Sequence, residues 1–358
     1  MSSALAKARV LVSGGAGFIG CALANRMAPF AGRYLVLDNL HPQVHAIRER
    51  PAALHPSAEF MLGDVTMASC WDEALTRIQP DIVIHLAAET GTGQSLTEAS
   101  RHGSVNVVGT TQLTDSLGRH QIRPRQIILS SSRAVYGEGA WRSAGGELVY
   151  PGQRTRKQLQ AGQWDFSDMS FQPATAASTH PSPSSVYGAT KLTQEHVLSA
   201  WCGALSVPLS ILRFQNVYGP GQSLTNSYTG IVALFCRLAR AGSSIPLYED
   251  GAVTRDFVFI DDVADAVVSA VRCPPADRRI CDVGSGRATT IAQLAGLIAQ
   301  AYGAPAPHLC GKFRDGDVRH ASCDIAATKE SLEWTPHWPL ERGLSALRDW
   351  IDRELPPV

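Results

Sequence analysis

Short apolar runs alternate with amphipathic stretches along most of this chain. Arg9 to Ser13, Tyr34 to Asp38, Glu59 to Leu62, Ile82 to Leu86, Gln126 to Ser130 and Leu209 to Phe214 read as strands. Between them, residues 18 to 29, 68 to 78, 99 to 120 and 187 to 203 carry helical periodicity. Strands that alternate with helices in this way specify a parallel, doubly wound sheet with right-handed crossovers. Beyond Phe214 the pattern turns irregular. A helix is expected at Thr229 to Arg240, a strand at Asp256 to Ile260, a helix at Val263 to Arg272, a strand at Ile280 to Val283, and helices at Thr290 to Tyr302 and Leu340 to Glu354.

The predicted fold class is therefore α/β: a doubly wound parallel sheet of Rossmann type with a smaller interleaved C-terminal lobe. Residues 1–212 form the dinucleotide-binding domain, to which 253–285 returns, and 213–252 with 286–358 form the substrate lobe. Residues 138–186 interrupt the plan. They are rich in Gly, Ser, Thr, Gln and Pro, with Trp141, Trp164 and the basic cluster Arg154-Thr-Arg-Lys157. Loops this long are uncommon inside a compact domain, so the segment reads either as a lid over the ligand pocket or as a surface excursion or oligomer contact.

In a doubly wound sheet, ligands collect beyond the carboxyl ends of the strands, where Gly14, Asp38, Asp64, Ala87 and Ser132 all fall. Gly14, Gly17 and Gly20 end the first strand and open a helix through Phe18 and Ile19. That strand, turn and helix start suit a pyrophosphate, which meets backbone N–H groups at the helix N-terminus. Asp38 closes the second strand. A carboxylate there accepts hydrogen bonds from the adenosine ribose and repels a 2′-phosphate, so NAD is expected rather than NADP.

Ser185-Val-Tyr-Gly-Ala-Thr-Lys191 adds reactive groups. On a helix, Tyr187 and Lys191 share one face. A nearby cation favours phenolate over phenol, which suits Tyr187 to act as a base, with the Ser132 hydroxyl holding the substrate oxygen.

Composition narrows the class further. With 32 basic and 32 acidic residues in 358, no global field attracts nucleic acid or an anionic membrane. No apolar run approaches the roughly 20 residues of a membrane span, and Met1 to Arg9 has no secretory core, so a cytoplasmic protein is expected. The eight cysteines, Cys21, Cys70, Cys202, Cys236, Cys273, Cys281, Cys310 and Cys323, contain no CxxC pair. They read as reduced packing residues, with no metal site.

Taken in order, several motifs resemble the extended short-chain dehydrogenase/reductase group that acts on nucleotide sugars, which includes epimerases and 4,6-dehydratases. They are Gly14-Gly-Ala-Gly-Phe-Ile-Gly20, Asp64-Val65, His85-Leu-Ala-Ala88, Ser130-Ser-Ser-Arg-Ala-Val-Tyr-Gly137, Tyr187 with Lys191, Leu212-Arg-Phe-Gln-Asn-Val-Tyr-Gly-Pro220, Arg255-Asp-Phe257 and Gly316-Asp317. The resemblance implies that Asp64 and Val65 flank the adenine and that Leu86, Ala87 and Asn106 line the cofactor channel. It further implies that Asn216, Arg255 and either Arg314 or Arg319 grip the substrate diphosphate, for which the guanidinium fork is suited. His85, Ser130 and Ser131 read as strand-end packing residues.

The residues after Ser132 bear on the reaction. The group's 4,6-dehydratases follow their catalytic threonine with an Asp-Glu pair, whereas Arg133 and Ala134 stand here. Neither can serve as a carboxylate acid or base. Dehydration is disfavoured, and 4-epimerisation of a nucleotide-diphosphate sugar through a transient 4-keto form is expected. A noncatalytic dinucleotide sensor is a further alternative, but such proteins usually lose the tyrosine or lysine kept here. Arg133 either touches the sugar or points to solvent. Stretches such as Gly316-Asp-Val-Arg-His320 are most similar to the branch that converts dTDP-L-rhamnose to dTDP-6-deoxy-L-talose, with UDP-, CDP- and GDP-sugars as alternatives. The resemblance also implies a homodimer built on helices 99 to 120 and 187 to 203.

Overall fold

The computed structural model describes residues 5–224 and 230–355. Its large layer is a seven-stranded, wholly parallel sheet. The strands are β1 (Arg9–Ser13), β2 (Arg33–Asp38), β3 (Glu59–Leu62), β4 (Ile82–His85), β5 (Gln126–Ser132), β6 (Leu209–Phe214) and, beyond strands that pair elsewhere, β9 (Arg278–Val283). Their spatial order is β9-β6-β5-β4-β1-β2-β3, so the winding reverses between β1 and β4 and opens a crevice at their carboxyl ends.

Both faces are buried, which explains the near-continuous apolar strands. Val10, Val12, Val36, Ile84 and Ile128 face helices Phe18–Met27 and Ile260–Arg272. Leu11, Leu35, Val83, Ile127 and Leu129 face Trp71, Leu75, Leu113, Leu117 and Leu198 from the helices on the other side.

The smaller sheet centres on β8 (Thr254–Phe259), which pairs in parallel with β7 (Asn216–Tyr218) and His320–Ala321 and antiparallel with Ala288–Thr290. The expected return of 253–285 to the large domain is thus split. β8 stays with the small sheet, and the chain re-enters the large layer only at helix Ile260–Arg272 and β9. An apolar run does not encode its pairing partner, so sequence alone could not separate these pieces. The helix expected from Thr229 spans Ile231–Arg240, and Thr229 itself lies outside the described residues.

The insertion has its own architecture. Ala140–Ser143, Leu148–Val149 and Met169–Gln172 form an antiparallel sheet, and Thr155 and Gln158 make a reciprocal capping box for helix Arg156–Gln160. Trp141, 1% exposed, packs among Phe166, Phe171 and His320. Arg154, 3% exposed, donates to Glu138 (3.1 Å), to both oxygens of Glu249 (2.9 and 3.0 Å), and to the carbonyls of Trp164 and Asp317. These contacts fix the segment against the smaller lobe as a wall, rather than a loose lid or a surface excursion.

All eight cysteines are free thiols. Among the described residues no helix is long and apolar enough to cross a membrane.

Candidate active site

The first turn after β1 approaches the β4 segment so closely that a side chain on Gly14 would put its Cβ 2.6 Å from the Ala87 backbone N. Glycine at φ +68° permits that approach. Helix Phe18–Met27 then starts at Gly17 with no side-chain cap and no acid in its first turn, leaving N–H groups for an anion. Asp38 borders this turn, accepting from Ala16 N (3.0 Å) and Leu40 N (2.9 Å). Asp64 accepts from Asn39 Nδ2 and from the Thr66 N–H and hydroxyl. Val65 beside it is buried. Leu86 and Ala87 follow β4 and are half-buried. This donor set fits a dinucleotide: bare amides for the pyrophosphate and a carboxylate at the end of β2 for a ribose.

Asn106 lies in a π-helical turn, Gly103–Val108, inside an otherwise α-helical run from Ala99 to Arg119. Its amide is held at both ends, accepting from Glu89 N (2.7 Å) and donating to Glu89 O and Thr190 Oγ1. π-Turns occur frequently at functional sites. This one fixes the strap from Glu89 to the helix that carries the tyrosine.

That helix, Val186–Leu205, is capped by the Ser185 hydroxyl, which accepts from Gly188 N. Gly188 packs so tightly on the turn after Ser132 that an added Cβ would lie 2.4 Å from Ala134 O. Tyr187 is thereby pinned beside Ser132 and Arg133. Buried Glu195, further along the helix, accepts both forks of Arg213 on β6 (2.9 and 2.6 Å) and the Ser131 hydroxyl, which docks the helix on the sheet. β5 runs two residues beyond its expected end, to Ser132, whose hydroxyl accepts from Ala134 N (3.2 Å).

The electrostatics differ from the expectation in one respect. Burial pushes the Tyr187 phenol above its usual range, and the Ser132 hydroxyl and Arg133 guanidinium oppose that push. Lys191, 2% exposed, is pushed down to about 7 by burial, with Glu195 opposing. Helical spacing places Lys191 on the right face but says nothing of its desolvation.

On the substrate side, Arg255 is buried and donates to Asp317 Oδ1 (2.7 Å). Arg314 is exposed, with its guanidinium 5.0 Å from the centroid of the Tyr248 ring. Asn216 Oδ1 and both amide atoms of Gln215 are buried without a hydrogen-bond partner. Such orphans ask for a ligand or water. Nothing in the spacing of Gln215 within Leu212 to Pro220 reveals that its amide is buried and unmet.

Arg319, one of the two arginines expected at the diphosphate, is already occupied. Its Nε donates to Asp165, and its terminal nitrogens donate to Glu249, Asp250 and Asp165, so all five N–H groups of the guanidinium are taken by carboxylates. No donor remains for a diphosphate, and Arg314 is the free member of the pair.

Behind the crevice, His85 on β4 is fully buried. Thr110 Oγ1 spends its one hydrogen on Asn106 O (2.6 Å), so it accepts from Gln194 Nε2 (2.7 Å) and His85 Nε2 (3.0 Å), while Ser13 Oγ lies 2.6 Å from Nδ1. Burial pushes its pKa down to about 3, so the ring is neutral near pH 7, with Nδ1 accepting from Ser13. Below the ordinary value of about 6.5, the unfolded chain takes up a proton that the folded chain refuses. Stability is therefore expected to fall as pH drops from about 6.5 toward 3. Urea unfolding across that range measures the slope. An unchanged slope in His85→Asn would remove His85 as its source.

Residues 10–284 match the model of the NAD dependent epimerase/dehydratase family. A dTDP-L-rhamnose 4-epimerase from Burkholderia thailandensis is 62% identical over 347 residues, covering 97% of this chain and 96% of its own length. Among solved structures, UDP-glucose 4-epimerase from Thermotoga maritima with UDP-glucose superposes with a TM-score of 0.79 at 27% identity, covering 96% of this chain and 99% of that one. The Thermus thermophilus UDP-glucose 4-epimerase complex with NAD gives 0.77 at 26% identity, covering 96% and 98%.

Proposed function

The chain belongs to the NAD-dependent epimerase/dehydratase family, and from that premise we propose that it interconverts dTDP-L-rhamnose and dTDP-6-deoxy-L-talose by epimerisation at C4. The observation that carries the reading is the 62% identity to a dTDP-L-rhamnose 4-epimerase over 97% of the chain. The residues after Ser132 agree with it, since Arg133 and Ala134 offer no carboxylate for dehydration.

The Gly14 turn, Asp38, Asp64 and the walls at Val65, Leu86, Ala87 and Asn106 would hold NAD, which would supply a reversible two-electron acceptor for C4 with no net consumption. Tyr187 takes the proton from the 4-hydroxyl, and Ser132 donates to the oxygen of the resulting 4-keto sugar. Asn216, Arg255 and Arg314 hold the diphosphate, so the hexose can turn over without leaving the site. Tyr187 then returns its proton to the oxygen on the opposite face. Lys191, already desolvated, holds the nicotinamide ribose.

The same reading includes a homodimer through helices Val186–Leu205 and Ala99 to Arg119, where Val108 is 43% exposed, and a cytoplasmic location, in which free thiols persist.

A proton NMR time course with dTDP-L-rhamnose and no added reductant tests the reaction. A second dTDP-hexose rising to a constant ratio without net NADH is the expected result. No change in a sample shown to contain NAD would remove the rhamnose assignment and turn the search to UDP-, CDP- and GDP-sugars.

A further inference from the structure

Residues 39–58 join β2 to β3 without a helix or strand, yet the loop starts in a fixed direction. Leu40 stands at φ +50°, where L side chains are rare, and is held there because its side chain is buried and Asp38 Oδ1 accepts its N–H (2.9 Å). From this start Gln43 reaches a loop that belongs to another strand. Its Nε2 donates to Gln94 Oε1 (2.8 Å), and Gln94 Nε2 donates back to Gln43 Oε1 (3.0 Å). Gln94, 3% exposed, opens the short turn Gln94–Leu96 beyond β4. That turn is set by the Ser95 N–H on Gly91 O (3.0 Å) and the Ser95 hydroxyl on Thr92 O (2.7 Å).

The place of this amide pair follows from the strand order. β1 lies between β4 and β2, and the two loops leave β4 and β2 at their carboxyl ends. A link between them therefore spans the end of β1, where the Gly14 turn and the uncapped start of helix Phe18–Met27 offer their N–H groups. The link is also anchored on its far side. Arg101 donates to Gln43 Oε1 and to Glu89 (both 2.8 Å) and pairs with Glu98 (2.6 Å), whose other oxygen accepts from Gln94 Nε2 (2.9 Å). Asn106 grips the backbone of Glu89, so the pair is continuous with the wall of the cofactor channel.

We propose that Gln43 and Gln94 form a clasp over the cofactor: closed, the amide pair keeps NAD in its crevice, and the loop from β2 must lift off Gln94 for NAD to enter or leave. The inference rests on the reading that NAD lies along the Gly14 turn. Its chemical reason is the return of the hydride. A sugar oxidised at C4 stays a ketone if the reduced cofactor escapes before giving its electrons back, so a reaction with no net consumption of cofactor requires slow release. A reciprocal amide pair suits that task, because its neutral hydrogen bonds are individually weak and break together when the loop moves.

Exchange of bound NAD for added ¹⁴C-labelled NAD, followed by filtration of the purified holoenzyme without sugar, tests the clasp in wild type, Gln43→Ala, Gln94→Ala and the double variant. Each single variant is expected to exchange about tenfold faster. The double variant should exchange no faster than the quicker single, since either change breaks the same pair. Arg101 keeps Glu89 and Glu98 in all three, so no charge is left alone. Exchange at the wild-type rate overturns the proposal. So do effects that multiply in the double variant, which mark two independent contacts with NAD. Equilibrium urea unfolding is read in parallel, and lowered stability with unchanged exchange makes the pair a structural link only, which also overturns it. Gln43→Asn keeps an amide but withdraws it by one methylene. It should exchange as fast as Gln43→Ala, and it decides the matter if alanine at position 94 prevents folding. Wild-type protein that takes up no NAD would remove the cofactor placement itself, whereas wild type that holds NAD no longer than its variants means that the clasp alone has failed.

Discussion

Tyr187→Phe lowers turnover by about 10²–10⁴-fold, the range over which a positioned acid or base contributes, while the protein keeps its NAD. Phenylalanine retains the ring and its edge contact with His102, and the Ser185 cap and the Glu195–Arg213 pair continue to hold the helix in place. Only the phenol oxygen, which the Ser132 hydroxyl meets, is lost. Epimerisation followed by NMR, together with the NAD released from denatured protein, separates chemistry from cofactor binding. Turnover near the wild-type value would remove Tyr187 as the base. Loss of both activity and NAD would instead mean that the hydroxyl helps to build the cofactor site.

Arg154→Leu destabilises the fold by about 3–5 kcal/mol, the cost of leaving buried charges without their partner. The arginine side chain bridges Glu138 of the insertion and Glu249 of the smaller lobe, and both carboxylates are nearly solvent-free. Burial already holds the Glu138 carboxyl above its usual range, with Arg154 and the Arg319 N–H opposing. The control is Arg156→Ala. Its pair with Asp315 is solvent-exposed, so its loss should change stability by no more than about 1 kcal/mol. Equilibrium urea unfolding of the two variants measures the contrast. Equal free energies would show that the buried network contributes no more than an exposed pair.

The features legible in the sequence are those encoded locally. Gly14, Gly17 and Gly20 lie within one turn of a strand and a helix, Asp38 ends the next strand, and Tyr187 and Lys191 are spaced by a single helical turn. Such signals need no knowledge of what packs against them. The features that were not legible depend on distant partners. Arg154 meets carboxylates 16 and 95 residues away, and Arg319 meets Asp165 at a separation of 154. A basic cluster in a Gly- and Pro-rich stretch looks solvated until those partners are placed, and an arginine near a substrate motif looks free until its five donors are counted. β8 reads as a strand from its apolar pattern, but that pattern suits either sheet, so its pairing in the smaller layer is not encoded locally. Lys191 lies on the expected face, but how far it is desolvated depends on the whole fold around it.

The wall formed by residues 138–186 also constrains how this protein can change over generations. Glu138, Arg154, Glu249 and Arg319 each satisfy charges on at least one other member of the set, and they come from the insertion and from the lobe. Losing Arg154 leaves Glu138 with the backbone N–H of Arg319 and Glu249 with one nitrogen of the Arg319 guanidinium, both in a dry interior. Descendants that shed the insertion must therefore shed the charges of the lobe in the same lineage, so that these residues are inherited as a set.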